Sequence, residues 1–399
     1  MAKRLTKRQK KKVAKFALKN FWIVMIVLIL LVSFLFFAYF QGWLDKYFKK
    51  DTLPTDAKYA LQVNFLDVGQ GDCMIINFPD GKNMIIDSGS AGVSKSKPAI
   101  TEFTQAKNID TFDYLLLTHA DEDHVGNMSW VIDNYKIKHI FRPNNKSTHK
   151  DSSSLPTEFN PDTQSRNEVS TLTYSKFMCS AYQEYINDDC IVEVFNKDSD
   201  FQGSITTENI EVKYTFDFLT PVAPINEISY SNKNDYSPYV ILTYANKSIL
   251  FTGDGESKMM KEYITNYGSQ NNIDVLKVGH HGSVNATSVD LIESVDPEYA
   301  VIQCGLGKAN GNTYKHPNAV VLDRLINYDS NMKIYRNDTN GLINLTIYSN
   351  GEMKFNLENP DCTYNLVGGE NMPTTLNVNF EDYLSNRQML VAWKRWFIW

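Results

Sequence analysis

The sequence predicts an α/β protein in which two packed sheets carry helices on their outer faces, behind a single N-terminal transmembrane helix. Three observations predict it. A charge-free apolar run occupies residues 21–40, a hairpin–helix–strand pattern occurs twice in the rest of the chain, and each copy ends in a buried-looking strand followed by histidine.

The apolar run FWIVMIVLILLVSFLFFAYF, Phe21 to Phe40, is twenty residues long, enough at ~1.5 Å per residue to span a ~30 Å hydrocarbon core. Nine Lys or Arg and no acid precede it in residues 1–19, and Trp22 and Trp43 bracket it. The positive-inside rule puts residues 1–20 in the cytoplasm as a basic tail and the rest of the chain outside, with the segment as a membrane anchor. A cleaved signal peptide is the rival reading, but its apolar region is shorter and ends at a small-residue site that "AYFQGW" lacks.

The formal net charge is −6, and with the nine basic residues of the tail set aside the remainder stands at −15. Such a balance disfavours broad adhesion to nucleic acid, which needs a basic face. Five cysteines show no CxxC pairing, which argues against a structural zinc knuckle; Cys179 and Cys190 are close enough in sequence to pair in an extracellular setting.

Residues 41–60 read as a polar linker. In the first half, "CMIINF" and "NMIID" flank the turn "PDGK", a helical stretch follows, and then "DYLLLTH". In the second, "YVILTY" and "SILFTGD" flank "ANK", followed by "SKMMKEYITNYG" and "DVLKVGH". Asp113 to His119 and Asp274 to His280 are both six residues apart. Two related β-rich halves are expected, with equivalent strand ends converging on one place. Between them, residues 143–210, rich in Ser, Asn, Asp and Pro, read as an irregular insertion with one helix at "STLTYSKFMCSAYQEYI". Residues 358–399 form a C-terminal extension whose Trp393, Trp396 and Trp399 suit a packing or an interfacial helix.

Chemistry concentrates in "THADEDHVGN". The strand of leucines delivers His119 to its end, and the turn exposes Asp121, Asp123 and His124. A solvated acidic helix start is the plain alternative. Carboxylates and imidazoles crowded into one cavity need cations, and this donor mixture suits zinc, manganese or iron rather than calcium. The second half supplies matching donors, Asp254 in "LFTGDGE" and His280 in "LKVGHHGS". The expected metal ligands are therefore His119, Asp121, Asp123, His124, Asp254 and His280, with His281 the alternative to its neighbour. Asp87 is a candidate for orienting a ligand, and Asp67 and Asp72 for shaping a loop. Asp123, Lys277 and His316 are the catalytic candidates, Lys277 as a phosphate-binding cation or an outward-reaching chain and His316 as a proton donor or a structural residue.

"HADEDHVGN" resembles the HxHxDH signature of the metallo-β-lactamase superfamily, with Asp121 where most members carry the second histidine. With "FLDVGQGDCMII", "NMIIDSG", "LFTGD", "LKVGHHGS" and "KHP" it resembles in particular the metallo-β-lactamase-like domain of ComEC-type competence proteins, over residues 61–357. The resemblance implies an αββα sandwich with two divalent ions, Zn2+ or Mn2+, at its rim. In that scheme Asp254 bridges the metals, His119 and Asp121 hold one, and Asp123, His124 and His280 hold the other. Many members have a further histidine before the bridging Asp. None lies between His149 and His280 here, and Asp235 or water is a candidate substitute. The implied activity is hydrolysis of a phosphodiester, with DNA, a teichoic-acid-like polymer or a nucleotide as substrate. The alternatives are a lactamase- or lactonase-like hydrolase and a non-catalytic, metal-containing binding module. No organic cofactor is expected.

Overall fold

Two sheets organise the fold in the computed structural model, which describes Phe21, Met25 and residues 59–360 apart from 162–166, 188–189, 208–209 and 269–271. The expected membrane anchor, but for those two residues, and the C-terminal extension beyond residue 360 lie outside the described residues. Among the described residues no helix is long and apolar enough to cross a membrane.

The first sheet has eight strands in the spatial order Ile191–Val194, His139–Arg142, Tyr114–Leu116, Asn83–Ile86, Met74–Asn77, Leu61–Phe65, Ile343–Ile347 and Met353–Leu357. The second has seven: Phe201–Thr207, Ile210–Phe218, Val240–Tyr244, Lys247–Phe251, Val275–Lys277, Tyr299–Ile302 and Lys333–Arg336. Helices Ser96–Lys107, Met128–Asn134 and Leu172–Asn187 bury Ile100, Phe103, Val131 and Phe177 against the first sheet. Helices Ser257–Tyr267, Val289–Val295 and Ala319–Tyr328 do the same on the second through Met259, Tyr263, Leu291 and Leu325. Aromatic rings join the sheets between these helical layers. Phe141 lies 5.2 Å from Phe218 and Tyr114 stacks on Phe201 at 4.0 Å.

The repeated plan read from the sequence is present in the pairing. In each half an antiparallel hairpin is followed by a helix and a strand parallel to the hairpin's second arm, with Ile86 opposite Leu116 in one and Leu250 opposite Leu276 in the other. The two aspartates that opened the repeat have one structural job. Asp113 accepts the backbone N–H of Asn83 at 2.9 Å, and Asp274 accepts that of Ser248 at 2.8 Å. Each thus ties the start of its parallel strand to the hairpin, and each is paired with a lysine, Lys138 or Lys247. The histidines six residues on emerge at the opposite, carboxyl ends of those strands.

The segment expected as an irregular insertion holds the helix Leu172–Asn187 but is otherwise more regular than its composition suggests. Ile191–Val194 extends the first sheet, parallel to His139–Arg142, and Phe201–Thr207 forms the edge of the second. Polar residues fit there because edge strands keep one side toward water, and buried asparagines replace missing backbone partners. Asn160 bonds both the N–H and the C=O of Ser147 at 2.9 Å, and Asn167 donates to the carbonyl of Ile228 at 2.8 Å. Cys179 and Cys190 are not joined in a disulfide.

Candidate metal centre

Local chain geometry delivers each donor. After Leu116 the chain stays extended, and Thr118 gives its N–H to Asp87 Oδ1 at 2.8 Å and its hydroxyl to Asp87 Oδ2 at 2.6 Å. That fixes His119 at the strand's end. Asp121 occupies the N-cap of the one-turn helix Glu122–Val125, but its side chain makes no capping bond; its Oδ2 lies 3.9 Å from His119 Nε2 instead. Glu122 turns away, accepting Ser90 Oγ at 2.6 Å and the N–H of Ala91 at 2.9 Å. The acidic turn is therefore divided, with two carboxylates toward the centre and one bracing a neighbouring loop.

From the second half, Gly253 takes a φ of 47° with Ser237 packed against it, so that a Cβ there would meet the serine side chain at 2.8 Å. This tight bend turns Asp254 inward. His280 and His281 both adopt positive φ, 47° and 53°. The strained turn presents both imidazoles to the same place, where an extended strand would send them to opposite faces.

Four imidazole Nε2 atoms converge on Asp254 Oδ2: His124 at 3.2 Å, His281 at 3.4 Å, His280 at 3.6 Å and His119 at 3.9 Å. Each ring is held from behind through Nδ1. Asp87 Oδ2 holds His124 at 2.7 Å, the carbonyl of Gln303 holds His281 at 3.0 Å, and Glu256 Oε1 holds His280 at 3.2 Å. Thr118 and Ser237 hydroxyls hold His119 at 3.1 and 3.2 Å. Orienting Nδ1 so that Nε2 is presented is how proteins prepare histidine for a metal.

The donors fit a divalent cation. His119 Nε2 and Asp254 Oδ1 are buried without any hydrogen-bond partner, an arrangement that is costly unless a cation faces them. His124, His281, Asp254 and Asp123 approach one another at 3.2–3.4 Å along their recorded contacts. A tetrahedron with bonds of ~2.0–2.1 Å has edges of roughly 3.4 Å. The second group, His119, Asp121, Asp254 and His280, has wider contacts of 3.6–3.9 Å and is more open, its Asp121 side chain being 41% exposed.

Electrostatics agree. Burial opposes charge on His124 and His281, but the carboxylates around them, Asp254 foremost, raise both well above the usual imidazole range. Burial also opposes charge on Asp254 and Asp123, yet the surrounding imidazoles hold both carboxyls below their usual range. His119, desolvated and beside His124, is lowered. Protons and a cation therefore compete for His124 and His281.

All six expected ligands are in this cluster, but their grouping differs from the one the resemblance implied. His281, not His280, stands beside Asp123 and His124, because the positive φ at both residues swings the second ring inward. His280 faces Asp254 from the outer side. Asp235 does not contribute; its Oδ1 accepts the N–H groups of Glu256 and Met259 at 3.0 and 3.2 Å, capping a helix. Lys277 does not reach outward. It is fully buried and ion-paired with fully buried Asp72, so its charge faces inward rather than toward a substrate. His316 does border the centre, its ring 5.5 Å from that of His280 and 6.3 Å from that of His281, and burial with these neighbours lowers it to about 4.

Sequence reasoning assigned no role at the centre to Asp72 and Glu256. Asp72 Oδ1 lies 3.2 Å from His281 Nδ1, and Asp72, His124, Asp254 and His281 form one buried group able to hold an ion. The signal for Asp72 lay in the glycines of "DVGQGD". Gly71, at φ 131°, brings the backbone so close to Asp123 that a Cβ would meet its carbonyl oxygen at 2.3 Å. Glu256 carried no such signal.

Two sheets between helical layers carry, where strand ends meet, a His/Asp cluster that could hold a cation. Residues 66–206 match the model of the metallo-beta-lactamase superfamily, and over this stretch the chain is similar to that superfamily. More particularly, it is 28% identical over 297 residues to ComE operon protein 3 of Bacillus subtilis (strain 168), a match taking in 71% of this chain and 32% of that protein. It is 28% identical over 276 residues to Recombination protein 2 of Haemophilus influenzae, covering 69% of this chain and 27% of the relative. The chain thus spans a third or less of the length of these curated relatives. Among solved structures, the diiron β-hydroxylase CmlA of Streptomyces venezuelae aligns over 69% of this chain and 52% of its own, at 13% identity and a TM-score of 0.39.

Proposed function

We propose that the chain is a metal-dependent phosphodiesterase or nuclease, anchored in the cell membrane through Phe21 to Phe40 with its N-terminus cytoplasmic and its catalytic domain extracellular. The observation that carries this reading is the convergence of four oriented Nε2 atoms on Asp254 Oδ2, with Asp121 and Asp123 completing two adjoining donor groups. Two divalent ions held there, Zn2+ or Mn2+, would supply activation of water and neutralisation of a phosphate. The residues divide the remaining work. Asp254 holds the two groups together, Asp87, Glu256 and Gln303 keep the imidazoles aligned, and neutral His316 donates an N–H to the substrate or its leaving oxygen. The names of the competence and recombination relatives put DNA among the candidate substrates.

The test uses the full chain in detergent, loaded with Mn2+ or Zn2+ and assayed on bis(p-nitrophenyl) phosphate, single-stranded DNA and nitrocefin. Turnover of a phosphodiester that disappears in Asp123→Ala, with the fold intact by circular dichroism, is the expected result. Turnover of nitrocefin alone would favour a lactamase-like enzyme. No turnover with metal bound would favour a binding module.

A further inference from the structure

The loop between strand Tyr299–Ile302 and helix Ala319–Tyr328 leaves the second sheet at the carboxyl end of a parallel strand, the end at which the metal centre lies. It is a pinned loop. Asn312, 4% exposed, donates to the carbonyls of Gly305 at 2.9 Å and His316 at 2.5 Å and accepts the N–H of His316 at 3.1 Å, while the carbonyl of Asn310 takes the N–H of Gln70 at 2.8 Å. Yet Tyr314, between these fixed points, is 72% exposed.

That ring is stacked on His316, with centroids 5.8 Å apart and planes 24° from parallel. The plane of His316 is in turn 30° from that of His281. Three rings thus descend from solvent toward Asp254 with similar orientation, and the uppermost has an open face. Tyrosine suits such a place because its large flat body loses little rotamer freedom on binding. Lys308 and Lys315, exposed on the same loop, bring positive charge to an otherwise acidic chain.

We propose that Tyr314 is a stacking platform for an unpaired base of the substrate, placed so that a neighbouring phosphate reaches the metal centre and the flanking lysines meet the adjoining backbone. This rests on the phosphodiester reading above and sharpens it to single-stranded nucleic acid. Every base offers a π-face, so sequence tolerance is expected, whereas bases paired within a duplex cannot reach an aromatic side chain without being extruded.

The experiment compares the metal-loaded full chain with Tyr314→Ala and Tyr314→Phe on a single-stranded oligonucleotide and on an abasic oligomer of the same length and charge. Tyr314→Ala should raise KM for the oligonucleotide by roughly 5- to 100-fold relative to the abasic oligomer, with kcat little changed, and Tyr314→Phe should restore the wild-type preference. Equal effects of Tyr314→Ala on both substrates, or none on either, would overturn the stacking role while leaving the phosphodiester reading in place. A wild-type chain that cleaves bis(p-nitrophenyl) phosphate but neither oligomer would overturn the single-stranded nucleic acid substrate alone, and one that cleaves none of the three would overturn both readings.

Discussion

Replacing Lys277 by methionine keeps the length of the side chain and removes one buried charge. In the wild-type chain the ammonium and the Asp72 carboxylate are both fully buried and paired. Burial works against the carboxylate's charge, but Lys277, followed by His281, holds Asp72 below its usual range. Removing one partner of such a pair costs about 3–5 kcal/mol. His281 Nδ1 remains 3.2 Å from Asp72 Oδ1 as a partial partner, so the lower end, about 3 kcal/mol, is expected. For a domain of this size that corresponds to a fall in Tm of roughly 5 °C. The pH dependence follows from the sign of the change. Without Lys277 the carboxyl pKa rises, the penalty falls on the ionised form, and the deficit relative to wild type grows as pH increases and shrinks as Asp72 takes up a proton. Scanning calorimetry between pH 5 and 8 would measure it. The double variant Lys277→Met/Asp72→Leu should recover most of the loss, because replacing both charges by apolar groups is close to neutral. A single variant that melts within about 2 °C of wild type but has a raised KM for phosphodiesters would refute this reasoning and restore Lys277 as a phosphate-binding cation.

Metal titration followed by elemental analysis should give two ions per chain; His281→Ala should weaken the buried site of Asp123 and His124, and His280→Ala the more open one of His119 and Asp121. Glu256→Gln, which keeps the ring but weakens its support, should lower affinity at the open site by about 10- to 100-fold without changing the stoichiometry. For His316, burial among neighbouring imidazoles lowers the pKa from the ordinary 6.5 to about 4 on folding. The unfolded chain therefore binds more protons across that interval, so the metal-free protein should lose stability as pH falls from 6.5 to 4, and His316→Gln should reduce the loss. A variant with an unchanged pH profile by thermal melting would count against His316 as a contributor.

The site was partly legible because metal chemistry restricts residue types more tightly than it restricts their neighbours. A run of leucines ending in "THADEDH" had to be a buried strand delivering donors to a turn, and the same six-residue interval from aspartate to histidine recurs in the second half. That interval also misled. It matched His280 to His119 by position, but ring direction at consecutive residues depends on φ, and positive φ at His280 and His281 brought the second ring beside Asp123. Lys277 was ambiguous for a related reason. A lysine in an apolar strand reads alike whether it snorkels outward or meets a buried carboxylate, and its partner Asp72 is two hundred residues away.

By itself, the sequence determined the two-sheet class, the paired hairpins each followed by a helix and a strand, and six residues that the fold brings together around Asp254, because hydrophobic periodicity and side-chain chemistry are local properties. Tertiary structure alone decided which imidazole pairs with which carboxylate, that Glu122 and Asp235 turn to other work, that the insertion supplies edge strands, and that Tyr314 stands exposed above His316. Those outcomes depend on backbone torsions and on contacts between distant segments, where a rotation at one residue redirects a whole side chain.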